Sequence, residues 1–303
     1  MSPPSRQMET PPFPTELRSV GVFALSNAPQ AVALARGCEE LSRALGGLPI
    51  HCDCQCAGGP RRLAGTDDSR LARFHALLEA PGRELLVAAR GGFGVTRLLD
   101  QVDFPLLKAS GKTLCGYSDL SALLVAAWDR GCRRLIHGPM VCSSWARGPE
   151  SPGFPQERDS FLQALQGKWA LQPKGLPLKT LRPGTARGPV IPVNLTMLTA
   201  LLGTPFQPRL QGTILILEDV NEPAHAIDRM LTQLRSAGLL KTLAGAVFGQ
   251  FTQGEDSEYL PEILQEAAAW IPGPVVAQYP LGHSHPSLAC PLGIPATLHA
   301  PAP

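Results

Sequence analysis

With 303 residues, 44% of them hydrophobic and 17% charged, the chain has enough apolar side chains to bury the cores of about two domains. Its 27 basic and 25 acidic residues give a net charge of only +2 without long runs of one sign, which argues against binding to nucleic acid or to a membrane surface. The longest uninterrupted apolar run, residues 122–128, is far shorter than the roughly 20 residues that cross a bilayer.

The first residues predict an arm rather than a folded element. Five prolines fall within positions 1–14 and no apolar stretch resembles a secretory signal, so we expect residues 1–17 to be mobile and the protein to be cytoplasmic. The eight cysteines are then expected to be reduced thiols. Cys52, Cys54 and Cys56 alternate as on a strand, and no second pair of ligands accompanies them. We therefore expect neither a metal site nor a cofactor.

Strand patterns alternate with helix patterns through the first half of the chain. The predicted strand–helix pairs lie at residues 19–25 and 31–45, 49–56 and 68–80, 84–90 and 95–102, and 113–117 and 118–131, followed by a strand at 133–139. This alternation predicts a parallel sheet flanked by helices, which we assign to an N-terminal domain over residues 18–142.

The composition changes after this domain. Residues 143–192 are rich in Pro and Gly around one helical stretch, 157–167, and predict a connector. A second, smaller α/β domain is predicted over residues 193–303. Its predicted elements are strands at 213–220 and 244–251 and a helix at 224–238. The domain also contains the segment 194–203, and the segment 274–282 near its end includes a strand pattern before Tyr279. The fold class is thus α/β with two domains.

A serine stands at the point where the strand at 113–117 gives way to a helix. Gly116-Tyr117-Ser118-Asp119 resembles the strand-to-helix turn on which hydrolases expose a nucleophile. The alternative is that Ser118 only caps the helix, with Asp119 favourable at its positive end. A thiol nucleophile, Cys115, is disfavoured because it lies inside the strand pattern, where a small apolar residue packs.

A nucleophilic serine needs a base and an orienting acid. Glu218 follows a buried strand, and His283 follows Gly282 in a loop after another strand, so both occupy positions where open α/β sheets place functional groups. Alternatively, Glu218 only supplies negative charge to the next helix N-terminus. His285 is left open as a decoy, a substrate contact or a surface residue, and His137 is interpreted as packing.

A glycine-rich loop precedes the helix predicted at 95–102. Gly91, Gly92 and Gly94 allow close backbone approach to an anion, so this loop is a candidate donor of N–H groups to an oxyanion. The spacing fits neither nucleotide-binding glycine pattern. The alternative is a tight turn without a ligand.

Six motifs, taken together and in this order, resemble those of the LD-carboxypeptidase family of serine peptidases, which includes murein tetrapeptide carboxypeptidases and microcin immunity peptidases. The similarity runs from about residue 20 to residue 298. The motifs are "ARGGFG", "GYSD", "HGPM", "NLTMLTALLGTPF", "ILEDVNEPAHAIDRMLTQLRSAG" and "YPLGHSHP…PLGIPATL".

The resemblance implies a site between two α/β domains, with Ser118 as nucleophile, Glu218 as orienting acid and His283 as general base. It implies oxyanion donors in the glycine-rich loop and after the serine, which are Gly91, Gly92 and Asp119. The implied reaction releases terminal D-alanine from a muropeptide tetrapeptide during cytoplasmic cell-wall recycling, and family members are commonly homodimers. The alternatives are cleavage of a peptide-nucleotide amide, as in the microcin immunity relatives, and a non-catalytic muropeptide-binding protein.

Two departures from the family pattern bear on substrate choice rather than on the triad. Pro192-Val193 replaces a usual glycine pair, and His225-Ala226 stands where Tyr-Arg is expected. An exopeptidase must also recognise the C-terminal carboxylate of its substrate, and the sequence leaves three candidates open: Arg90, Arg97 and Arg229.

Overall fold

The computed structural model describes residues 13, 16–173 and 175–302, which form two six-stranded sheets with helices packed against them. The α/β fold class predicted from the sequence is confirmed. The arm predicted over residues 1–17 lies almost entirely outside the described residues, although Phe13 packs into the core of the first sheet. Within the described part, no helix has the length and apolar character that a bilayer crossing requires.

The first sheet is built from five parallel strands in the order 2-1-3-4-5. Its strands are β1 (Val20–Phe23), β2 (Ile50–Cys52), β3 (Leu85–Ala88), β4 (Thr113–Gly116) and β5 (Leu135–His137). The helices of this part are α1 (Ala31–Ala44), α2 (Asp67–Glu79), α3 (Phe104–Ser110) and α4 (Ser121–Asp129). Strands β1, β3 and β4 are buried throughout because helices cover both faces, as in other parallel sheets.

One predicted helix of this part is wrong. Residues 95–102 form turns, and α3 begins instead at Phe104. The start is fixed locally, because the Asp103 carboxylate accepts a hydrogen bond of 2.8 Å from the N–H of Leu106 and Pro105 occupies the first turn. The capping residue and the proline outweigh the apolar spacing further upstream.

The segment from 143 to 192, expected to be a connector, contributes to both sheets. After a π-helical turn at Val141–Trp145, helix α5 (Phe154–Leu165) packs Phe154 and Phe161 into the first core. Strand β6 (Lys179–Arg182) and most of β7 (Gly184–Asn194) belong to the second sheet. The second sheet therefore begins before residue 193.

The further strands of the second sheet are β8 (Ile214–Val220), β9 (Gly245–Thr252), β10 (Val275–Ala277) and β12 (Pro295–Ala300), and its helices are α6 (Leu195–Ala200), α7 (Ala224–Ser236) and α8 (Leu260–Ala269). The strand order is β12-β7-β8-β9-β10-β6. Strands β7 to β10 are parallel, whereas β6 and β12 are antiparallel strands at the two edges.

A short strand, β11 (Cys290–Pro291), joins the two sheets. It follows β10 in the chain but pairs antiparallel with β5 of the first sheet, where Cys290 lies opposite His137. A single apolar cluster also contains buried residues of both sheets, among them Leu114 and Leu217. The loop between β10 and β11 therefore crosses from one sheet to the other.

Candidate active site

Ser118 lies on a sharp turn between β4 and α4. Strand β4 ends at Gly116, Tyr117 is extended, and Ser118 has a φ of 63°, in the left-handed region that non-glycine residues rarely adopt. The strand, the strained serine and the helix reproduce the geometry that exposes a nucleophile in hydrolases. Neither the short 3₁₀ turn Ser118–Leu120 nor α4 has a side-chain cap, so the capping alternative for Ser118 is wrong.

The glycine-rich loop approaches the Ser118 side chain as closely as its backbone allows. A Cβ atom at Gly91 would lie 2.9 Å from the Cβ and 3.0 Å from the Oγ of Ser118. Gly92 has a φ of 120°, and a Cβ there would collide with the side chain of Asn27. A side chain at either position would clash with its neighbours, so only glycine fits there.

The buried side chain of Asp119 holds this loop against the serine turn. Its Oδ2 accepts hydrogen bonds from the N–H of Val95 at 3.0 Å and from the Oγ of Ser26 at 2.7 Å. Burial raises the pKa of the Asp119 carboxyl, and the hydrogen bonds to its ionised form oppose that shift. Asp119 therefore has a structural task that the sequence did not predict.

Glu218 and His283 form a direct pair. The carboxylate of Glu218 is fully buried near the end of β8, and its Oε2 lies 2.7 Å from the Nδ1 of His283. Gly282, with a φ of 142°, lets the loop pass close to the same carboxylate oxygen. The alternative role of Glu218 as a charge at the next helix is wrong, since its carboxylate faces the imidazole. Its neighbour Asp219 instead accepts hydrogen bonds from Thr196, in the first turn of α6.

Ser118 and His283 line one cavity of about 370 Å³ together with the glycine-rich loop. The ring of Tyr117 lies beside the imidazole of His283, with the ring centroids 5.0 Å apart. The other lining residues are Gln30, Ala33, Arg90, Gly91, Gly92, Met140, Cys142 and Ser143. The structure thus brings the predicted serine, histidine, acid and glycines to one place at the junction of the two sheets.

His285, two residues after His283 in the same loop, also pairs with a buried carboxylate. The Nδ1 of His285 lies 2.6 Å from Oε1 of Glu157, which is buried on α5 and also accepts a hydrogen bond of 3.0 Å from the N–H of Ser287. The guanidinium of Arg147 contacts the other oxygen of Glu157 at 2.7 Å. Glu157 therefore fixes the loop that carries His283. In the sequence, Glu157 is recognisable only as a carboxylate in the first turn of the predicted helix 157–167, and no sequence pattern relates it to His285.

Two remaining candidates have packing roles. The thiol of Cys115 is buried and donates to the carbonyl oxygen of Pro139 at 3.7 Å, and burial raises its pKa well above the usual range, as expected for an unreactive thiol. His137 is also buried, and burial lowers its pKa to about 3, so the ring is neutral. Its ring packs against Tyr117 with the centroids 5.6 Å apart.

Both halves of the chain match family models. Residues 20–138 match the LD-carboxypeptidase N-terminal domain, and residues 187–298 match the LD-carboxypeptidase C-terminal domain. The chain belongs to the LD-carboxypeptidase family. The resemblance carried by the six sequence motifs is thereby confirmed.

Three similar proteins give the degree of similarity. The murein tetrapeptide carboxypeptidase of Pseudomonas aeruginosa is 33% identical over 259 residues, which cover 83% of this chain and 84% of that protein. The crystal structure of muramoyltetrapeptide carboxypeptidase from Oxalobacter formigenes has a TM-score of 0.80 and 27% identity, covering 94% of this chain and 96% of that one. The microcin C7 self-immunity protein MccF of Escherichia coli is 26% identical over 261 residues, 76% of this chain and 75% of that protein.

Proposed function

We propose that this protein is a serine LD-carboxypeptidase that releases the terminal D-alanine from muropeptide tetrapeptides. The observation that supports this most directly is the cavity shared by Ser118 and His283, with the buried Glu218 carboxylate 2.7 Å behind the imidazole. The assignment of nucleophile, base and orienting acid rests on this arrangement and on the family. We further propose a cytoplasmic role in cell-wall recycling and a homodimeric assembly, which the family resemblance implies.

The contact between Glu218 and His283 determines which nitrogen of the imidazole can act as the base. Glu218 engages Nδ1 of His283 and thereby favours the tautomer whose Nε2 accepts a proton. As Ser118 Oγ attacks the carbonyl carbon of the scissile amide, Nε2 takes the hydroxyl proton and then passes it to the departing amine of D-alanine. Water hydrolyses the resulting acyl-enzyme in the same way, which restores the serine.

The negative charge that develops on the carbonyl oxygen needs nearby donors. We assign this role to the backbone N–H groups of Gly91 or Gly92 and of Asp119, because the glycine-rich loop packs directly on the Ser118 side chain. In other serine hydrolases one such donor is worth about 2.7–4 kcal/mol of transition-state stabilisation. The buried carboxylate of Asp119 supports this arrangement by holding the loop in place.

Of the three arginines considered for the substrate carboxylate, the contacts favour Arg90. Arg90 is one of the residues that line the cavity containing Ser118, and its Nη1 makes a long hydrogen bond of 3.5 Å to the carbonyl oxygen of Ala28. Arg97 is committed to the Asp67 carboxylate through contacts of 2.6 and 3.1 Å. Arg229 is exposed on α7 and is not among the residues that line the cavity. We therefore propose that Arg90 binds the free carboxylate and makes the enzyme an exopeptidase.

The test is incubation of the purified protein with a muropeptide tetrapeptide, followed by mass analysis for the loss of one alanine. The Ser118→Ala variant should fold normally and lose the activity by about 10⁴ to 10⁶ in kcat, as when other triads lose their nucleophile. Full activity in this variant would exclude the proposed nucleophile.

A parallel assay with a peptide-nucleotide amide separates the second candidate, which the similarity to MccF supports. Faster cleavage of that amide than of the tetrapeptide would identify an immunity-type hydrolase. Binding of the tetrapeptide with no cleavage of either substrate would identify a non-catalytic binding protein.

A further inference from the structure

Several cysteines that the proposed reaction does not use lie together between α1 and the edge of the first sheet. Cys52 lies on β2, the outermost strand of that sheet, in register with Val22 of β1, and it is exposed. Cys38 lies on the face of α1 that packs against the same core, and Cys54 follows two residues after Cys52. An edge strand leaves its outer side open to solvent, which explains why a thiol next to a core remains accessible.

The three thiols lie on one side of the sheet. Cys52 is in register with Val22 of β1, and Val22 packs in the same core as Cys38 and Cys54. In this position Cys38 and Cys54 can donate hydrogen bonds to the Cys52 sulfur. These two donors lower the pKa of the Cys52 thiol, whereas the pKa values of Cys38 and Cys54 are raised by the same contacts and by burial. Since the thiolate is the reactive form of cysteine, Cys52 combines accessibility with nucleophilic character.

We propose that Cys52 is a peroxide-sensitive thiol and that Cys38 resolves its oxidised form by making an intramolecular disulfide between β2 and α1. Cys38 is the suited partner because it faces Cys52 from the opposite layer. Cys54 is only two residues away, and extended residues at that spacing have Cα atoms about 6.6 Å apart, close to the upper limit for a disulfide. Its Sγ is moreover engaged with the carbonyl oxygen of Val22 at 3.6 Å.

The chemistry balances with one peroxide molecule. The Cys52 thiolate attacks a peroxide oxygen and breaks the O–O bond, giving a sulfenic acid and hydroxide, which takes up the proton of the original thiol to form water. The Cys38 sulfur then attacks the Cys52 sulfur and displaces a second water as the disulfide forms. The two thiols together lose two electrons and two protons, and the peroxide is reduced to two waters.

Helix α1 connects the Cys38–Cys52 pair to the cavity, and neither cysteine is one of the proposed catalytic residues. Helix α1, which carries Cys38, also follows Gln30 and contains Ala33, and both of these residues line the cavity. Cys142 lines the cavity too, and it packs against the same core as Cys38 and Cys54. The proposal does not depend on the peptidase activity.

The experiment uses the purified, fully reduced full-length protein, treated with hydrogen peroxide in the presence of a chelator. Intact mass analysis should record the loss of two hydrogen atoms, and digestion without reduction should yield one cross-linked peptide that joins Cys38 to Cys52. In the Cys38→Ser variant, a dimedone-type probe should trap a sulfenic acid on Cys52. The Cys52→Ser variant should form no disulfide.

Cys56→Ser is the matched control, because Cys56 lies in the same segment and its thiol contacts the carbonyl oxygen of Cys54 at 3.7 Å. This variant should form the disulfide like the unaltered protein. In the unaltered protein, alkylation at pH 7 should modify Cys52 about tenfold faster than Cys56, as expected for a mostly ionised thiol. A disulfide that forms equally in Cys52→Ser, a cross-link between two chains, or Cys52 and Cys56 reacting at equal rates would overturn the proposal.

Discussion

The β10–β11 loop carries two histidines that each pair with a carboxylate from another element. Changing the two carboxylates in parallel therefore provides a matched test of the proposed mechanism. His283 pairs with Glu218 at 2.7 Å and His285 pairs with Glu157 at 2.6 Å, and both carboxylates are buried. Only His283 lines the cavity with Ser118. The change Glu218→Gln should therefore affect chemistry, whereas Glu157→Gln should affect mainly the stability of the loop.

The size of the effect at Glu218 follows from its contact with the imidazole. When the ring takes a proton in the transition state, the two charge centres are about 4 Å apart, and their attraction at an effective dielectric constant of 20 is about 4 kcal/mol. This corresponds to about 10³ in rate. A glutamine also offers an N–H to Nδ1 and so stabilises the wrong tautomer, a change that costs about 10⁴ in kcat in another triad. We expect kcat to fall by about 10³ to 10⁴ with KM little changed.

The assay is D-alanine release from the tetrapeptide over a range of substrate concentrations, with circular dichroism to establish that each variant is folded. Glu157→Gln removes the charge that faces Arg147, and breaking a buried charged contact costs about 1–3 kcal/mol of unfolding free energy. Its kcat should change by less than about tenfold. If both folded variants lost kcat equally, or if Glu218→Gln kept more than a tenth of it, the orienting role of Glu218 would be refuted.

Three further predictions test the surroundings of Ser118. Gly91→Ala should lower kcat by about 10² or more in a folded protein, because the new methyl group would displace either the loop or Ser118, and steady-state kinetics measures this. Arg90→Ala should raise KM for the tetrapeptide at least tenfold and lower the preference for a free over an amidated C-terminus, whereas Arg97→Ala should do neither. Burial lowers the pKa of His137 to about 3, below its unfolded value near 6.5, so folding stability is retained above pH 6.5 and lost as the pH falls. Between pH 7 and pH 5 this loss is about 2 kcal/mol in denaturant titrations, and a His137→Gln variant should lack that part of the pH dependence.

Some residues of the proposed site could be predicted from the sequence because their position depends only on where one β-strand ends. Ser118 follows β4 and Glu218 lies near the end of β8, and each strand was recognisable from its own apolar run. The carboxyl ends of parallel strands meet at one edge of a sheet, so a polar residue there is placed near others without knowledge of the strand order. The loop glycines were predictable for a similar reason, since their conformation is a local property of the backbone.

Contacts between distant segments were not predictable in this way. Glu157 and His285 are 128 positions apart, and the flanks of the helix that carries Glu157 are rich in Pro and Gly and so predict a connector. The position of Asp119 in the sequence predicts a charge that favours a helix N-terminus, whereas its carboxylate holds the glycine-rich loop through Val95. No periodic pattern records which segment lies against which, so these roles required the tertiary structure.

The path of the chain after β10 explains why the site lies between the sheets. Residues 278–289 leave the second sheet and end in β11, whose Cys290 pairs with His137 on β5, the neighbour of the strand that precedes Ser118. His283 thus lies on a segment anchored in both sheets, while Glu218 holds its ring from β8. Loosening either anchor would move the imidazole relative to Ser118, even if both sheets stayed folded. The proposed catalytic geometry is therefore a property of the crossing loop and its anchors rather than of either sheet alone.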